Sequence, residues 1–263
     1  MASETKEFGS NLQTVSRAVA LLRCFEQGAV SLTLAQLTRR LGLNKATVFR
    51  LATTLETEGL LDKDPDTGAY SVSYGLLALG RELLNPAGLA TLAQPILKAA
   101  QEATRETAIL NLRQGDRAVV VHEIVSPQAV RYALGVGYRA DLRLGAASLA
   151  ILAFLPGREA DAVLAAPMPP LADGGTMTAE QIRARLPRVR EEGYCTTDSQ
   201  RERDAAGFAA PFFGADGTVA GSLSVVMPVS RAREEAHRRL CADTVRAAAR
   251  ELTARLGGDR AVG

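Results

Sequence analysis

The chain has 263 residues, which is about the length of two domains of the usual size. Hydrophobic residues make up 47% and charged residues 23%, as in an ordinary soluble protein, so each domain should contain a hydrophobic core. No apolar run approaches the roughly 20 residues needed to span a bilayer, and the polar segment Met1–Ser10 lacks the features of a secretory signal. The sequence therefore predicts a cytoplasmic protein that does not cross a membrane.

Cysteine and histidine are too few and too scattered to suggest metal or redox chemistry. Cys24, Cys195 and Cys241 form no Cys-x-x-Cys pair, which predicts reduced thiols rather than a disulfide framework or a zinc site. His122 and His237 lie far apart and belong to no metal-binding or catalytic spacing. We therefore expect no metal, no cofactor and no enzymatic activity. The alternative from another functional class is that the protein is an enzyme of unknown activity.

Positive charge is concentrated near the N-terminus. The formal net charge is only +2, with 31 Lys and Arg against 29 Asp and Glu. The segment between Thr33 and Leu55, in contrast, holds four basic residues and no acidic one. These residues are Arg39, Arg40, Lys45 and Arg50. This distribution is typical of an element that contacts phosphates, although a solvated helix face would show it too.

Two helices are predicted at the start of the N-terminal unit. An apolar stripe at helical spacing predicts a first helix that ends near Gly28. The stripe consists of Val15, Ala18, Val19, Leu22 and Phe25. Thr33 and Gln36 form a capping-box pattern before a second helix, which Gly42 ends. The inward residues of this helix are expected to be Leu34, Leu37 and Leu41.

A third helix follows after a very short turn. Asn44 is a good N-cap, and apolar residues give the helix an inner face. These residues are Val48, Leu51 and Leu55. Two short helices joined so tightly predict a helix-turn-helix, whose second helix enters the major groove of DNA. Residues 60–63 and 69–72 flank a cluster of turn residues and predict the hairpin of a wing.

The helix-turn-helix pattern predicts which residues contact DNA. Thr47, Arg50 and Thr54 lie on the outward face of the third helix, and Arg50 can form two hydrogen bonds with a guanine. Lys45 suits a phosphate or a guanine, and Lys63 in the wing would reach the DNA backbone. The full set of candidate DNA contacts is Thr33, Arg39, Arg40, Asn44, Lys45, Thr47, Val48, Arg50, Thr54 and Lys63.

A helical linker and a larger unit follow the wing. The apolar pattern of Tyr74–Asn85 predicts a linker helix, which Pro86 and Gly88 interrupt. A long helix, Leu89–Thr104, then opens the second unit. We therefore expect a winged helix-turn-helix at residues 11–73, a linker helix at 74–88 and a larger domain at 89–257.

The larger domain alternates strand and helix patterns, which predicts an α+β fold with an antiparallel sheet and helices on one face. Strand patterns cover residues 107–113, 118–124, 130–136, 207–213 and 218–227. Helix patterns cover Gly145–Leu155, the segment from Thr178 to Gly193, and Arg231–Leu256. Pro187 lies inside the second of these helices and should either kink or split it.

The N-terminal half resembles the IclR family of transcription regulators. The resemblance rests on Ser-Arg-Ala at 16–18, Leu-Ala-Gln-Leu at 34–37, Lys-Ala-Thr-Val-Phe-Arg-Leu at 45–51 and Glu-Gly-Leu at 58–60. It extends over about residues 14–256. The resemblance implies a homodimer or tetramer on a partly palindromic operator, with the linker helices and N-terminal domains in the dimer contact.

The C-terminal half resembles the effector domain of that family, a GAF-like α+β fold with a cup for a small organic acid. Leu142–Pro156 resembles the helix at the cup, where open backbone amides can hold a carboxylate. Small residues there would also let the helix pack closely on the sheet. The candidate ligand contacts are Arg143, Gly145, Ala146, Ala147, Asp198, Gly207, Ser222 and Ser224.

The chain departs from the usual family residues at the cup. The family commonly has His, a small hydroxyl residue, Gly and Lys where this chain has Arg143, Gly145, Ser148 and Leu149. Arg143 adds a cation that would favour an acid, unless it points to solvent. Gln200 replaces an acidic residue and Val226 replaces a serine. These two changes make the cup less polar and favour an aromatic or longer acid.

These patterns predict a sequence-specific transcription regulator whose operator affinity is modulated by a small organic acid. Repression is the commoner behaviour of the family. An acid in the cup would shift the linker helix and so change the spacing of two recognition helices. The alternative is a domain that serves only as a dimerisation scaffold, which a test of ligand-dependent DNA affinity would separate from a sensor.

Overall fold

In the computed structural model of the chain, the described residues are 12–25, 29–76 and 88–258. They belong to two units, Met1–Leu84 and Asn85–Gly263. The predicted linker helix lies mostly outside the described residues, as does the predicted helix end at Gly28, so both stay predictions together with the three domain boundaries. Within the described ranges, no helix is long and apolar enough to cross a membrane.

In the described part of the N-terminal unit, three helices pack with a hairpin. The helices are α1 (Gln13–Arg23), α2 (Leu34–Leu41) and α3 (Lys45–Thr57). The hairpin pairs β1 (Leu61–Lys63) with β2 (Tyr70–Val72) in antiparallel register. The predicted helix-turn-helix and the hairpin of the wing are therefore present.

Local caps fix the turn between α2 and α3. Thr33 Oγ1 accepts the Gln36 amide at 3.3 Å, and the Gln36 side chain accepts the Thr33 amide at 2.8 Å. Gly42 ends α2 with φ of 62°, in the left-handed region that glycine adopts at little cost. Asn44 Oδ1 accepts the Thr47 amide at 2.8 Å and starts α3. The predicted capping box, glycine stop and N-cap are confirmed.

One hydrophobic core joins the elements of this unit. Its buried members are Leu21, Phe25, Leu32, Leu37, Val48, Leu51, Ala52, Leu55, Leu61 and Tyr70. Of the predicted stripe, Phe25 is buried and Ala18 and Leu22 pack against this core. Val15 and Val19 are 58% and 44% exposed.

A six-stranded antiparallel sheet forms the second unit, in the order β5-β4-β3-β8-β7-β6. Its strands are β3 (Thr107–Gln114), β4 (Arg117–Ile124), β5 (Arg139–Asp141), β6 (Cys195–Asp198), β7 (Ala205–Phe213) and β8 (Val219–Pro228). The helices are α4 (Leu89–Thr104), α5 (Ala146–Leu152), α6 (Gly157–Ala165), α7 (Ala179–Glu192) and α8 (Glu235–Arg255). The predicted α+β class is confirmed, whereas β5, β6 and α6 had no counterpart among the predicted elements.

Helices cover both faces of this sheet. On one face α4 and α8 pack against Ala210 and Phe212, among others. On the other face α5, α6 and α7 form a second core with Ala209 and Phe213. The prediction of helices on one face is wrong because β7 and β8 are buried on both faces over most of their length, and each face needs a cover.

The predicted strand at residues 130–136 is also wrong. Side chains, rather than a neighbouring strand, satisfy much of its backbone. The Glu123 carboxylate accepts the amides of Leu134 and Gly135 at 2.8 and 3.1 Å, and Thr107 Oγ1 donates to the Tyr132 carbonyl at 2.6 Å. Residues 125–138 therefore form a loop, which we call the strap loop. Its side chains pack against the sheet residues Ile109, Val120 and Val226.

Two helices differ in detail from their predicted form. Pro187 lies inside α7, which continues from Ala179 to Glu192 and is not split. The predicted helix Arg231–Leu256 begins instead with a single 3-10 turn, Arg231–Arg233, and α8 starts at Glu235. Neither difference changes the order of the elements around the sheet.

Candidate functional site

The outward face of α3 carries the main candidate DNA contacts. Arg50 and Thr54 are exposed and Thr47 is half-buried, and their spacing places all three on one side of the helix. Lys45 is exposed in the first turn. Because the N-terminal residues of a recognition helix reach base edges, this surface can enter a major groove.

Several other candidate contacts serve the fold. Val48 is fully buried in the core, so its assignment as a DNA contact is wrong. Arg40 Nη1 donates to the Cys24 carbonyl at 2.6 Å and ties α2 to the end of α1. Thr33 and Asn44 use side-chain oxygens to cap helices, as described above. Arg39 is exposed and can reach solvent or a phosphate.

Phe49 was not among the predicted contacts. Its side chain is 46% exposed beside Arg50, although phenylalanine is ordinarily assigned to a core. A phenyl ring on a recognition helix suits the methyl group of a thymine. The signal in the sequence is its position four residues after Lys45, away from the inner face of the helix.

The wing is more acidic than its candidate role suggests. The Lys63 ammonium lies 5.6 Å from the centroid of the Tyr70 ring, and Asp62, Asp64 and Asp66 are all exposed near it. Backbone and side-chain hydrogen bonds from Thr67, and one from the Asp66 amide, lower the pKa of Asp64. Lys63 is the basic residue of this hairpin, residues 61–72, and its exposed ammonium can contact a phosphate.

A cavity that is open to solvent lies on the sheet face that α5 covers. Its walls come from the start of α5, the strap loop, the loop between β6 and β7, and the strands β3, β7 and β8. Five of the eight predicted ligand contacts line it: Gly145, Ala146, Ala147, Gly207 and Ser224. A Cβ on Gly207 would lie 3.3 Å from the Ala146 Cβ, so glycine allows this close approach of β7 and α5.

The other three predicted contacts lie outside the cavity lining. Ser222 Oγ donates to the Ala147 carbonyl at 3.0 Å and so joins β8 to α5. Asp198 at the end of β6 pairs with Arg238 at 3.3 Å. Arg143, whose side chain is only 7% exposed, donates to both carboxylate oxygens of Asp141 and to a backbone carbonyl. These three side chains stabilise the fold, and the structure does not bring them to a ligand.

Polar groups on the sheet also reach the cavity. Asn111 Nδ2 donates to Ser224 Oγ at 3.0 Å, and both residues belong to the lining. Because the Ser224 oxygen accepts this bond, its own hydrogen remains available for a ligand. Apolar side chains of Ile109, Leu134 and Val226 complete this part of the wall.

Arg201 is a lining residue that was absent from the predicted contacts. Its Cζ lies 5.2 Å from the centroid of the Tyr138 ring, and its Nη1 lies 3.8 Å from where a Cβ on Gly145 would be. Its Nε is buried and has no hydrogen-bond partner among the described residues. In the sequence Arg201 belongs to a charged run, residues 201–204, which looks like a solvated loop.

Comparison with known families identifies the chain. Residues 82–254 match the family of the bacterial transcriptional regulator IclR C-terminal domain, and residues 14–65 match the IclR helix-turn-helix domain. This protein belongs to the IclR family of transcription regulators. The predicted family is thereby confirmed, and the IclR relatives described below are DNA-binding regulators rather than enzymes.

Relatives of the IclR family match nearly the whole chain. The HTH-type transcriptional regulator KipR of Bacillus subtilis (strain 168) is 30% identical over 214 residues, or 81% of this chain and 85% of KipR. A crystal structure described as an IclR transcriptional regulator of Silicibacter sp. TM1040 is 32% identical, with a TM-score of 0.73, and the match covers 94% of this chain and 98% of that one.

A second solved structure shows the same fold at lower identity. An IclR homolog of Microbacterium hydrocarbonoxydans, complexed with 4-hydroxybenzoate, has a TM-score of 0.77 and 24% sequence identity. The match covers 92% of this chain and 98% of that chain. The IclR fold is therefore common to both proteins.

The pair of Asp141 and Arg143 makes stability depend on pH. Burial raises the pKa of Asp141, but hydrogen bonds from Arg143 and the charges of Arg143 and Arg117 outweigh it and hold this pKa below its ordinary value. The ionised carboxylate therefore stabilises the folded state above the ordinary aspartate pKa, about 4. This contribution is lost as the pH falls towards the lower pKa of the folded state.

We expect Asp141→Asn to lower the free energy of unfolding at pH 7 by about 3 kcal/mol, because a buried guanidinium loses its counter-ion. The variant should also lose less stability than the parent between about pH 5 and pH 2. Urea unfolding across this pH range measures both effects. Asp161→Asn is the matched control, since Asp161 forms an exposed pair with Arg183. Identical pH profiles for the parent and Asp141→Asn would contradict the assignment.

Proposed function

We propose that this protein is a cytoplasmic repressor that binds operator DNA as a dimer and whose DNA affinity is modulated by a small organic acid. The observation that carries the proposal is the cavity, because it brings together five residues that the sequence predicted as ligand contacts. The exposed face of α3 supports the DNA-binding part.

The DNA-binding part rests on chemistry at α3. Arg50 is exposed and can form a bidentate pair with a guanine, and Thr47 and Thr54 lie on the same side of the helix. A dimer would hold two such helices about 34–36 Å apart, or a multiple of this, to meet two half-sites. A tetramer would use the same arrangement twice.

The ligand-binding part rests on the lining of the cavity. Apolar groups such as Ile109 and Leu134 lie beside the polar pair of Asn111 and Ser224. This mixture suits an aromatic or longer acid. The IclR homolog that binds 4-hydroxybenzoate supports an aromatic acid.

A sensor explains the cavity better than a dimerisation scaffold does. In a domain that only dimerises, polar groups that face a cavity without partners would lower the stability of the fold, because unpaired buried polar groups are unfavourable. Arg201 Nε is such a group. A ligand that satisfies these groups would stabilise the domain.

The variant Arg50→Ala tests the DNA-binding surface. We expect it to bind operator about tenfold to a hundredfold more weakly, because a bidentate contact with a base is lost, while the fold stays intact. Fluorescence anisotropy can compare duplexes that the parent protein selects from a random pool with scrambled duplexes. Lys98→Ala is the control, since it removes one exposed charge from α4. Unchanged selectivity in Arg50→Ala would refute the assignment of α3.

Thermal unfolding of the full chain with a panel of aliphatic and aromatic carboxylates tests the cavity. We expect at least one acid to raise the unfolding temperature. A ligand at a free concentration of about 100 times its Kd raises the free energy of unfolding by roughly 2.7 kcal/mol. Ser224→Phe should abolish the effect by filling the cavity, whereas Ser224→Ala, which leaves the space open, should keep it. If no acid stabilises the parent protein, the ligand-binding part fails and the scaffold remains.

A further inference from the structure

Two other arginines of this domain, one buried and one half-buried, show how it satisfies a guanidinium. Arg143 donates to both carboxylate oxygens of Asp141, and Arg231 donates to both oxygens of Glu106 at 2.6 Å. Glu106 is 1% exposed and Asp141 is 10% exposed, so both carboxylates are largely shielded from water. A charge in such surroundings is unfavourable unless a partner of opposite sign lies beside it.

Arg201 is the exception in the cavity. It is half-buried, its Nε is shielded from solvent, and the described residues supply no hydrogen-bond partner for that Nε. The adjacent Glu202 also lines the cavity, but its side chain is exposed and forms no ion pair with Arg201 within the described ranges. The Arg201 guanidinium therefore lies in the lining without an ion pair of the kind that Arg143 and Arg231 have.

Tyr138 holds the guanidinium in place. Its ring lies 5.2 Å from Arg201 Cζ, which provides a cation–π contact. That contact partly offsets the unfavourable free energy of burying the charge. It involves the flat face of the guanidinium, so the N–H groups at its edge remain able to donate hydrogen bonds. Tyr138 itself is held by backbone bonds, since its carbonyl accepts the Val120 amide at 2.9 Å. The arrangement is a preorganised site for a planar anion.

We propose that Arg201 is the residue that selects the ligand, by binding its carboxylate with two parallel hydrogen bonds. This inference rests on the proposed function and names its ligand class: a monocarboxylate on an apolar, preferably aromatic, body. The body would lie against Ile109 and Val226, and a second polar group would accept the hydrogen of Ser224. A neutral analogue would leave Arg201 without a counter-ion and bind more weakly.

The test compares each acid with its own amide. Calorimetric titration of the full chain at pH 7 would use benzoate, 4-hydroxybenzoate and phenylacetate beside benzamide, 4-hydroxybenzamide and phenylacetamide. We expect at least one acid to bind the parent at least about tenfold more tightly than its amide. Arg201→Gln should remove this preference. Arg201→Lys should keep part of it, because the charge stays but the planar fork is lost.

Arg203→Gln is the matched control. It removes the same charge two residues away, from an exposed side chain outside the lining, and should leave the preference unchanged. The ligand-free unfolding temperature of each variant reports whether it folds. A purely structural role for Arg201 would shift that temperature without changing the ratio of acid to amide affinity.

The outcomes separate this inference from the function on which it rests. If an acid binds Arg201→Gln with the same preference as the parent, and Ser224→Phe abolishes its binding, Arg201 is not the selecting residue and the proposed function stands. If an acid and its amide bind the parent equally tightly, Arg201 does not select the carboxylate, and the proposed function again stands. If no acid of the panel binds the parent, both the inference and the acid-responsive function are overturned.

Discussion

The architecture of the larger unit depends on two neighbouring strands, β7 and β8, that are apolar on both faces. Such strands must be covered on both sides, and α4 and α8 do this on one face. On the other face α5, which has only seven residues, forms the cover together with α6, α7 and the strap loop. The cavity lies where α5, the strap loop and the loop after β6 meet over the sheet. The candidate sensor site is therefore a consequence of how the sheet is buried.

The role of each arginine follows from its partner rather than from its charge. Arg143 is paired with Asp141 and Arg40 caps α1, so both serve the fold. Arg50 on α3 is exposed to solvent, and Arg201 lines a cavity without an ion-pair partner among the described residues. Buried pairs contribute to a unique fold, whereas a lone cation in a cavity is suited to an anionic ligand.

Features set by a few neighbouring residues could be predicted from the sequence. The capping box at Thr33, the glycine stop at Gly42 and the wing hairpin depend on local backbone chemistry, and the structure has them where the pattern predicted. Features set by distant contacts could not. The strap loop is held by hydrogen bonds to side chains of the sheet, since Glu123 accepts the Leu134 amide and Thr107 donates to the Tyr132 carbonyl. Arg201 becomes a candidate site residue through its contact with Tyr138, which is remote in sequence. The resemblance to IclR regulators pointed by position to five residues that line the cavity, but it could not reveal that Arg143 is paired with Asp141.

We propose that the cavity and the DNA-binding surface are energetically coupled. A titration tests this by measuring the affinity of the full chain for its selected operator duplex while the concentration of a stabilising acid is raised. Energetic coupling predicts that a saturating concentration of the acid changes the operator affinity by a measurable factor. Bound operator must then change the affinity for the acid by the same factor. An acid that binds the protein but leaves operator affinity unchanged at saturation would contradict it.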